Sequence, residues 1–213
     1  MKIIKHILPD LIFAISILIV FFFLDYHNIL FYRPQAIHFM RQTDCLSFVQ
    51  SYYNNGLIFF EPQVLSQNSI DGKAIGEFPI LYYITASLYH LFGQHEFILR
   101  LLNILLVSFG FYYLFKLLMI VYSNLVYALG FTFLFFSSTI LIYYTNNFLP
   151  DAGALGLTLM GWYFYYIYFV ERDKTRSFVI SVSFFTLASL IKVTYGLNLA
   201  AALLSLLIIE IIV

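Results

Sequence analysis

The sequence predicts an all-α, polytopic membrane protein: a transmembrane helical bundle with a long first extracytoplasmic loop carrying juxtamembrane helices. Two observations about bulk character come first. Of 213 residues, 62% are hydrophobic and 10% charged, against roughly 45–50% and about 25% in an ordinary soluble domain. Mean hydropathy is +0.89. The third observation is spacing. Apolar runs near the ~20 residues a helix needs to cross a bilayer core recur at about 8–24, 98–120, 124–144, 152–170, 177–195 and 197–213. The formal net charge is zero, so nothing in the sequence points to nucleic acid, whose binding is dominated by basic residues. A single cysteine, Cys45, excludes an internal disulfide. No Cys/His cluster has metal-ligand spacing, and neither a P-loop nor a dinucleotide fingerprint is present. No cofactor is therefore expected, and the spacing gives no indication of a divalent metal.

The first run follows Lys2 and Lys5 and ends in "FFFLDYH". It is longer than the ~7–15-residue apolar region of a signal peptide and lacks a small-residue cleavage site, so it reads as a retained membrane helix. Residues 25–97 are polar-rich but contain one apolar piece, "PILYYITASLYHLFG", residues 79–93. At 1.5 Å per residue that piece is about 22 Å long, short of a hydrocarbon core of about 30 Å. Charge agrees. If 79–93 does not span, Lys2, Lys5, Lys116 and the loop "ERDKTR" share the inner face, and the short outer loop 145–151 has no Lys or Arg. The positive-inside rule prefers that arrangement. The whole chain, 1–213, reads as a single membrane domain. Its last residues, "AALLSLLIIEIIV", lead to the expectation that it is the front portion of something longer.

A polar island, "MRQTDCLSFVQSYYNNG" at 40–56, interrupts the oily sequence. Residues 43–55 predict a short amphipathic helix with Cys45, Leu46, Phe48, Val49, Tyr52 and Tyr53 on one side. Thr43 or Asp44 is the expected N-cap, and Gly56 the stop. A cap alone would explain Asp44. A carboxylate at a helix start is also stabilised in its ionised form, which suits a group that takes a proton or holds a hydroxyl. Arg41 could pair with it or bind a phosphate. Glu77, in "GKAIGEFP", reads by itself as a solvated loop charge. Asp151 follows Pro150 and opens a helix, again a favourable place for an acid. Lys192, in "LIKVTYGL", sits inside an apolar run; such residues face a partner or a wet cavity by default, or snorkel from a helix end. Glu210 is also intramembrane and is assigned no role. Together these groups would suit a lipid-linked anionic donor, its phosphate met by Arg or Lys while a carboxylate activates an acceptor hydroxyl. Two alternatives stay open: a transporter or flippase subunit with Lys192 and Glu210 along a path, and a non-catalytic membrane scaffold.

Four pieces, in order, carry a resemblance: "MRQTDCLSFVQSYYNNG", "GEFPILYYITASLYHLFGQHEFILRLLN", "NNFLPDAGALGLTLMGWYFYY" and "LIKVTYGL". They resemble the GT-C membrane glycosyltransferases, in the branch of protein O-mannosyltransferases and lipid A aminoarabinose transferases. The resemblance implies transfer of a sugar from a polyprenyl-phosphate-linked donor to a lipid, glycan or protein acceptor. It implies an integral multi-pass protein of a bacterial inner (plasma) membrane, acting on the extracytoplasmic face. Asp44 matches an essential acid of the first outer loop, as base or acceptor-positioning carboxylate. Asp151 matches a second acid that holds acceptor or donor. Glu77 matches an acid before the proline of the surface helix, where related chains often have Lys next and this one has Phe78. Arg41 and Lys192 would neutralise phosphate, although Val193 separates Lys192 from the glycine expected after it. Both aspartates and Lys192 are expected around one common pocket.

Overall fold

The computed structural model describes residues 2–65, 72–74, 76–170 and 175–212, with side chains from Ile7 onward except those of Glu210 and Ile212. The expectations for residues 171–174 of "ERDKTR", and for the side chains of Lys2, Lys5 and Glu210, fall outside the described part. Among the described residues the fold is all-α: α1 Lys2–Phe23, α2 Tyr26–Ile29, α3 Phe39–Asn55, α4 Ile80–Phe92 and α5 Phe97–Tyr122 come first. Then follow α6 Leu125–Phe136, α7 Thr139–Thr145, α8 Asp151–Val170, α9 Thr175–Ile191, a 3-10 turn at Val193–Tyr195, and α10 Gly196–Ile212. The one β-type pairing described is an isolated bridge between Gln63 and Lys73.

α5 is 26 residues long and apolar on all sides, about 39 Å at 1.5 Å per residue. It is the one described helix that is by itself long and apolar enough to cross a membrane. α6 and α7 reach that standard only together, and they are bent by 79°. The run 124–144, expected as one span, is therefore bent between α6 and α7. Ser137 donates its hydroxyl to the Leu134 carbonyl at 2.7 Å, and Ser138 leaves the helical conformation at ψ 123. Local hydroxyl bonds of this kind compete with the helix ladder. The apolar parts of α1, α9 and α10, like α4, are shorter than a full span.

Two further boundaries differ from expectation. α9 was expected to reach 195 but ends at Ile191, because Lys192 is extended (φ −146, ψ 110). α3 starts at Phe39, four residues before 43. Thr43 and Asp44 thus lie within its second turn and neither is the N-cap, a position held by His38 without a side-chain cap bond. The Thr43 hydroxyl instead turns back onto the Met40 carbonyl at 2.6 Å. The early start has an anchor: the Gln42 amide donates to the Gln35 carbonyl at 2.6 Å and to the Tyr143 hydroxyl at 3.3 Å.

α4 spans 13 residues, about 20 Å, and packs on α3 through Cys45, Val49 and Tyr52 against Tyr82, Ala86 and Tyr89. α5, α8 and α9 pack side by side, and glycines let them approach. A Cβ added at Gly156 would lie 2.3 Å from the Leu106 carbonyl oxygen, and one at Gly110 would lie 2.5 Å from the Gly156 Cα. Small residues at helix contacts are how membrane helices gain van der Waals contact without a hydrophobic driving force. One polar clamp bears directly on the site. Buried Asn103 of α5 donates to the carbonyls of Asn147 and Leu149, each at 3.0 Å, and so fixes the turn that delivers Asp151 to the start of α8.

Candidate functional site

Four separate elements supply one charged cluster. Arg41 comes from the first turn of α3, Glu77 from the turn before α4, Asp151 from the first residue of α8, and Lys192 from the break after α9. Lys192 Nζ donates to Asp151 Oδ1 at 3.0 Å and to Glu77 Oε1 at 3.1 Å. Arg41 Nη2 pairs with the same Glu77 oxygen. The Phe78 amide donates to the Leu190 carbonyl at 3.4 Å, which ties the Glu77 turn to the end of α9. Side-chain exposure is 22% for Glu77, 25% for Asp151 and 19% for Lys192, so the ion pairs are partly shielded from water and stronger than surface pairs.

Behind Glu77 lies a relay of neutral groups. The Tyr82 hydroxyl donates to Glu77 Oε2 at 3.1 Å and meets the Cys45 sulfur at 3.1 Å. Burial, then the nearby Cys45 and Glu77, push the Tyr82 phenol well above its ordinary pKa, so it stays a donor. Burial likewise pushes the Cys45 thiol up to about 12. Burial works against the charge on Arg41, but Glu77 and then Asp151 more than offset it and raise its pKa. At Asp151 the two oxygens differ: Oδ1 holds Lys192, while Oδ2 is buried with no hydrogen-bond partner among the described residues. The Tyr195 hydroxyl donates to the Asp151 main-chain carbonyl at 3.2 Å.

The cluster opens two ways. Glu77 lines a cavity of about 560 Å³ with Phe59, Phe60, Phe78 and Pro79. Asp151 lines an apolar groove of about 330 Å³ with Phe135, Leu141, Leu155 and Tyr195. Asp44 is elsewhere. It is exposed, has no ion-pair or hydrogen-bond partner among the described residues, and lines a third cavity of about 470 Å³ with Thr43, Ser47, Gln50, Gln94 and Glu96. Arg41 and Asp44 are three apart on α3, hence neighbours on its surface at about 5–6 Å between Cβ atoms. Among the described residues, no three His, Cys, Asp or Glu side chains converge to hold a metal ion.

The structure thus corrects some expectations. Glu77 is no solvated loop charge but the hub of the cluster. Arg41 pairs with Glu77, not Asp44. Lys192 reaches two carboxylates rather than snorkelling. The common pocket is not observed: Asp44 and Asp151 line different cavities. Tyr82, Tyr195 and Asn103 went unnoticed in the sequence, where a Tyr or Asn in an apolar run carries no signal of its long-range partner.

A helical membrane chain with paired charges gathered where its helices begin and end fits a membrane glycosyltransferase of the GT-C type. The chain belongs to the family described as dolichyl-phosphate-mannose-protein mannosyltransferase, which matches residues 77–212. Members of that family are integral membrane proteins. The matched segment contains Glu77, Asp151 and Lys192, while Arg41 and Asp44 precede it. No curated protein and no solved structure matches the chain.

Proposed function

We propose that the chain moves a glycosyl group from a polyprenyl-phosphate-linked donor to an acceptor hydroxyl on a lipid, glycan or protein. The reaction takes place on the extracytoplasmic face of a bacterial inner membrane, with 1–213 forming one membrane domain. One observation carries this reading: two cations, Arg41 and Lys192, converge on Glu77, and Arg41 stands one helical turn from Asp44, a carboxylate with no partner among the described residues.

A donor phosphate takes up hydrogen bonds from Arg41 and Lys192, which Glu77 positions. Arg41 is fit for this because its planar fork matches phosphate oxygens. The polyprenyl tail lies in the apolar groove beside Asp151. The acceptor hydroxyl gives its proton to Asp44 as its oxygen bonds to the anomeric carbon. The anomeric C–O bond breaks towards phosphate, and polyprenyl phosphate leaves with that electron pair, its charge held by the two cations. A free carboxylate suits the proton-accepting role better than one already shared with a cation, since pairing lowers basicity. Asp151, with one unpartnered oxygen, holds a hydroxyl of donor or acceptor.

The test is transfer by the purified chain in proteoliposomes, supplied with a radiolabelled polyprenyl-phosphate sugar. Release of polyprenyl phosphate together with label on an acceptor is the expected result. Donor that is bound and moved across the vesicle wall uncleaved would favour transport instead. Cysteine accessibility at the exposed positions 94 and 122 checks the orientation, with 94 expected outside and 122 inside.

A further inference from the structure

We propose that the connector between α2 and α3 sinks its apolar side chains into the lipid leaflet around the N-terminal end of α5 and sets Arg33 against a phospholipid phosphate. The connector runs from Leu30 to His38 and reads "LFYRPQAIH". Its large apolar side chains are uncovered. Phe31 is 66% exposed and Ile37 89%, and Met40, on the first turn of α3, is 73% exposed. Tyr32 and Phe39 are exposed as well.

Looseness does not account for this, because the backbone is anchored at four points. Arg100 of α5, itself buried, donates through Nη1 to the Ile29 carbonyl and through Nη2 to the Arg33 carbonyl at 3.3 Å. The Gln42 amide holds the Gln35 carbonyl, and His38 Nε2 lies 2.9 Å from the Tyr144 hydroxyl. The Arg33 side chain is exposed and has no ion-pair or hydrogen-bond partner among the described residues.

Two contacts set the depth of the connector in the membrane. The 26 residues of α5 make about 39 Å against a hydrocarbon core of about 30 Å, so roughly 9 Å of helix is left for the two headgroup layers. The first turn of α5 therefore stands at the lipid–water boundary. Phe31 meets Phe97, the first residue of α5, edge on, with ring centroids 5.3 Å apart. Arg100, three residues further on, grips the Arg33 carbonyl. The connector is thus level with that boundary, where aromatic rings are favoured and exposed apolar side chains gain by entering the acyl region. Water around Ile37 and Met40 would forfeit that gain in proportion to their apolar area. An arginine beside them can lay its stem along apolar surface while its head reaches the phosphates, which supply the opposite charge. None of the four ion-paired residues takes part, and the contact does not depend on the transfer reaction.

Spin labels read by electron paramagnetic resonance test this, with the full chain in nanodiscs of phosphatidylethanolamine and phosphatidylglycerol. Ile37→Cys, Met40→Cys, Asn54→Cys and Leu105→Cys, all at exposed positions, each carry one label in a Cys45→Ser background. Oxygen concentrates in lipid, and a nickel chelate stays in water. Labels at 37 and 40 should collide more often with oxygen than with the chelate, as at 105 on the flank of α5. The order should invert at 54, near the end of α3. Collisions mainly with the chelate at 37 and 40 would overturn the proposal. So would protection from both reagents there, the mark of a protein partner. Arg33→Glu, which sets a carboxylate against lipid phosphate, should shift the label at 37 towards water, whereas Arg33→Lys should leave it in place. An unchanged collision ratio in Arg33→Glu would overturn the phosphate contact.

Discussion

Asp44 and Asp151 are both acids near a helix start, yet they occupy opposite kinds of surroundings. Asp151 is the first residue of α8, is three-quarters covered, shares one oxygen with Lys192, and buries the other without a partner. Asp44 is exposed on the second turn of α3 and has no ion-pair or hydrogen-bond partner among the described residues. The contrast separates a carboxylate committed to a cation from one left accessible; in the proposed function the second is the proton acceptor.

Accessibility gives the largest contrast. In native protein at pH 8, Cys45 should react with maleimide at least about a hundredfold more slowly than in denaturant, because its thiol is buried and its pKa lies near 12. The sign is simple: a raised thiol pKa leaves almost no thiolate below it. A cysteine placed one residue earlier by Asp44→Cys, in a Cys45→Ser background, should label readily. Equal labelling at the two positions would break the distinction.

Stability comes next. Asp151→Asn leaves Lys192 with Glu77 alone and should lower unfolding free energy by about 1–2 kcal/mol in a denaturant titration, a value discounted for partial exposure. Asp44→Asn should stay within about 0.5 kcal/mol, as surface changes do. Gly156→Ala, by pressing a methyl against the Leu106 carbonyl, should cost about 1–3 kcal/mol while leaving labelling at position 44 unchanged. Such a result would show that α3 is set independently of the α5–α8 contact. The smallest effect is kinetic. Arg41→Lys keeps the charge but loses the fork, and should raise the donor KM by about three- to tenfold at nearly constant kcat.

Much of the fold was legible in the sequence because apolar runs and helix breakers are local. The helix 97–122 and the start of α8 at Asp151 follow from an uninterrupted oily run and from Pro150. The break at Ser137–Ser138 was not legible, since neither residue is a strong breaker. The early start of α3 depends on Gln42 reaching Gln35 and Tyr143, and a contact across 101 residues leaves no trace in spacing. Glu77 shows the same limit at the site. Its neighbours suggested a wet turn, and only its meeting with Arg41, 36 residues earlier, and Lys192, 115 residues later, makes it the hub. Lys192 was partly legible: a lysine in an apolar run calls for a partner, a wet cavity or snorkelling, and the structure supplies two carboxylate partners.

The proton-accepting role proposed for Asp44 is read from the initial rate of polyprenyl phosphate release by proteoliposomes containing wild type or Asp44→Asn, matched for folded protein. The variant's rate should be about 10²–10⁴-fold lower, the loss expected for a general base, with unfolding midpoints that coincide. Undiminished release by Asp44→Asn would contradict it.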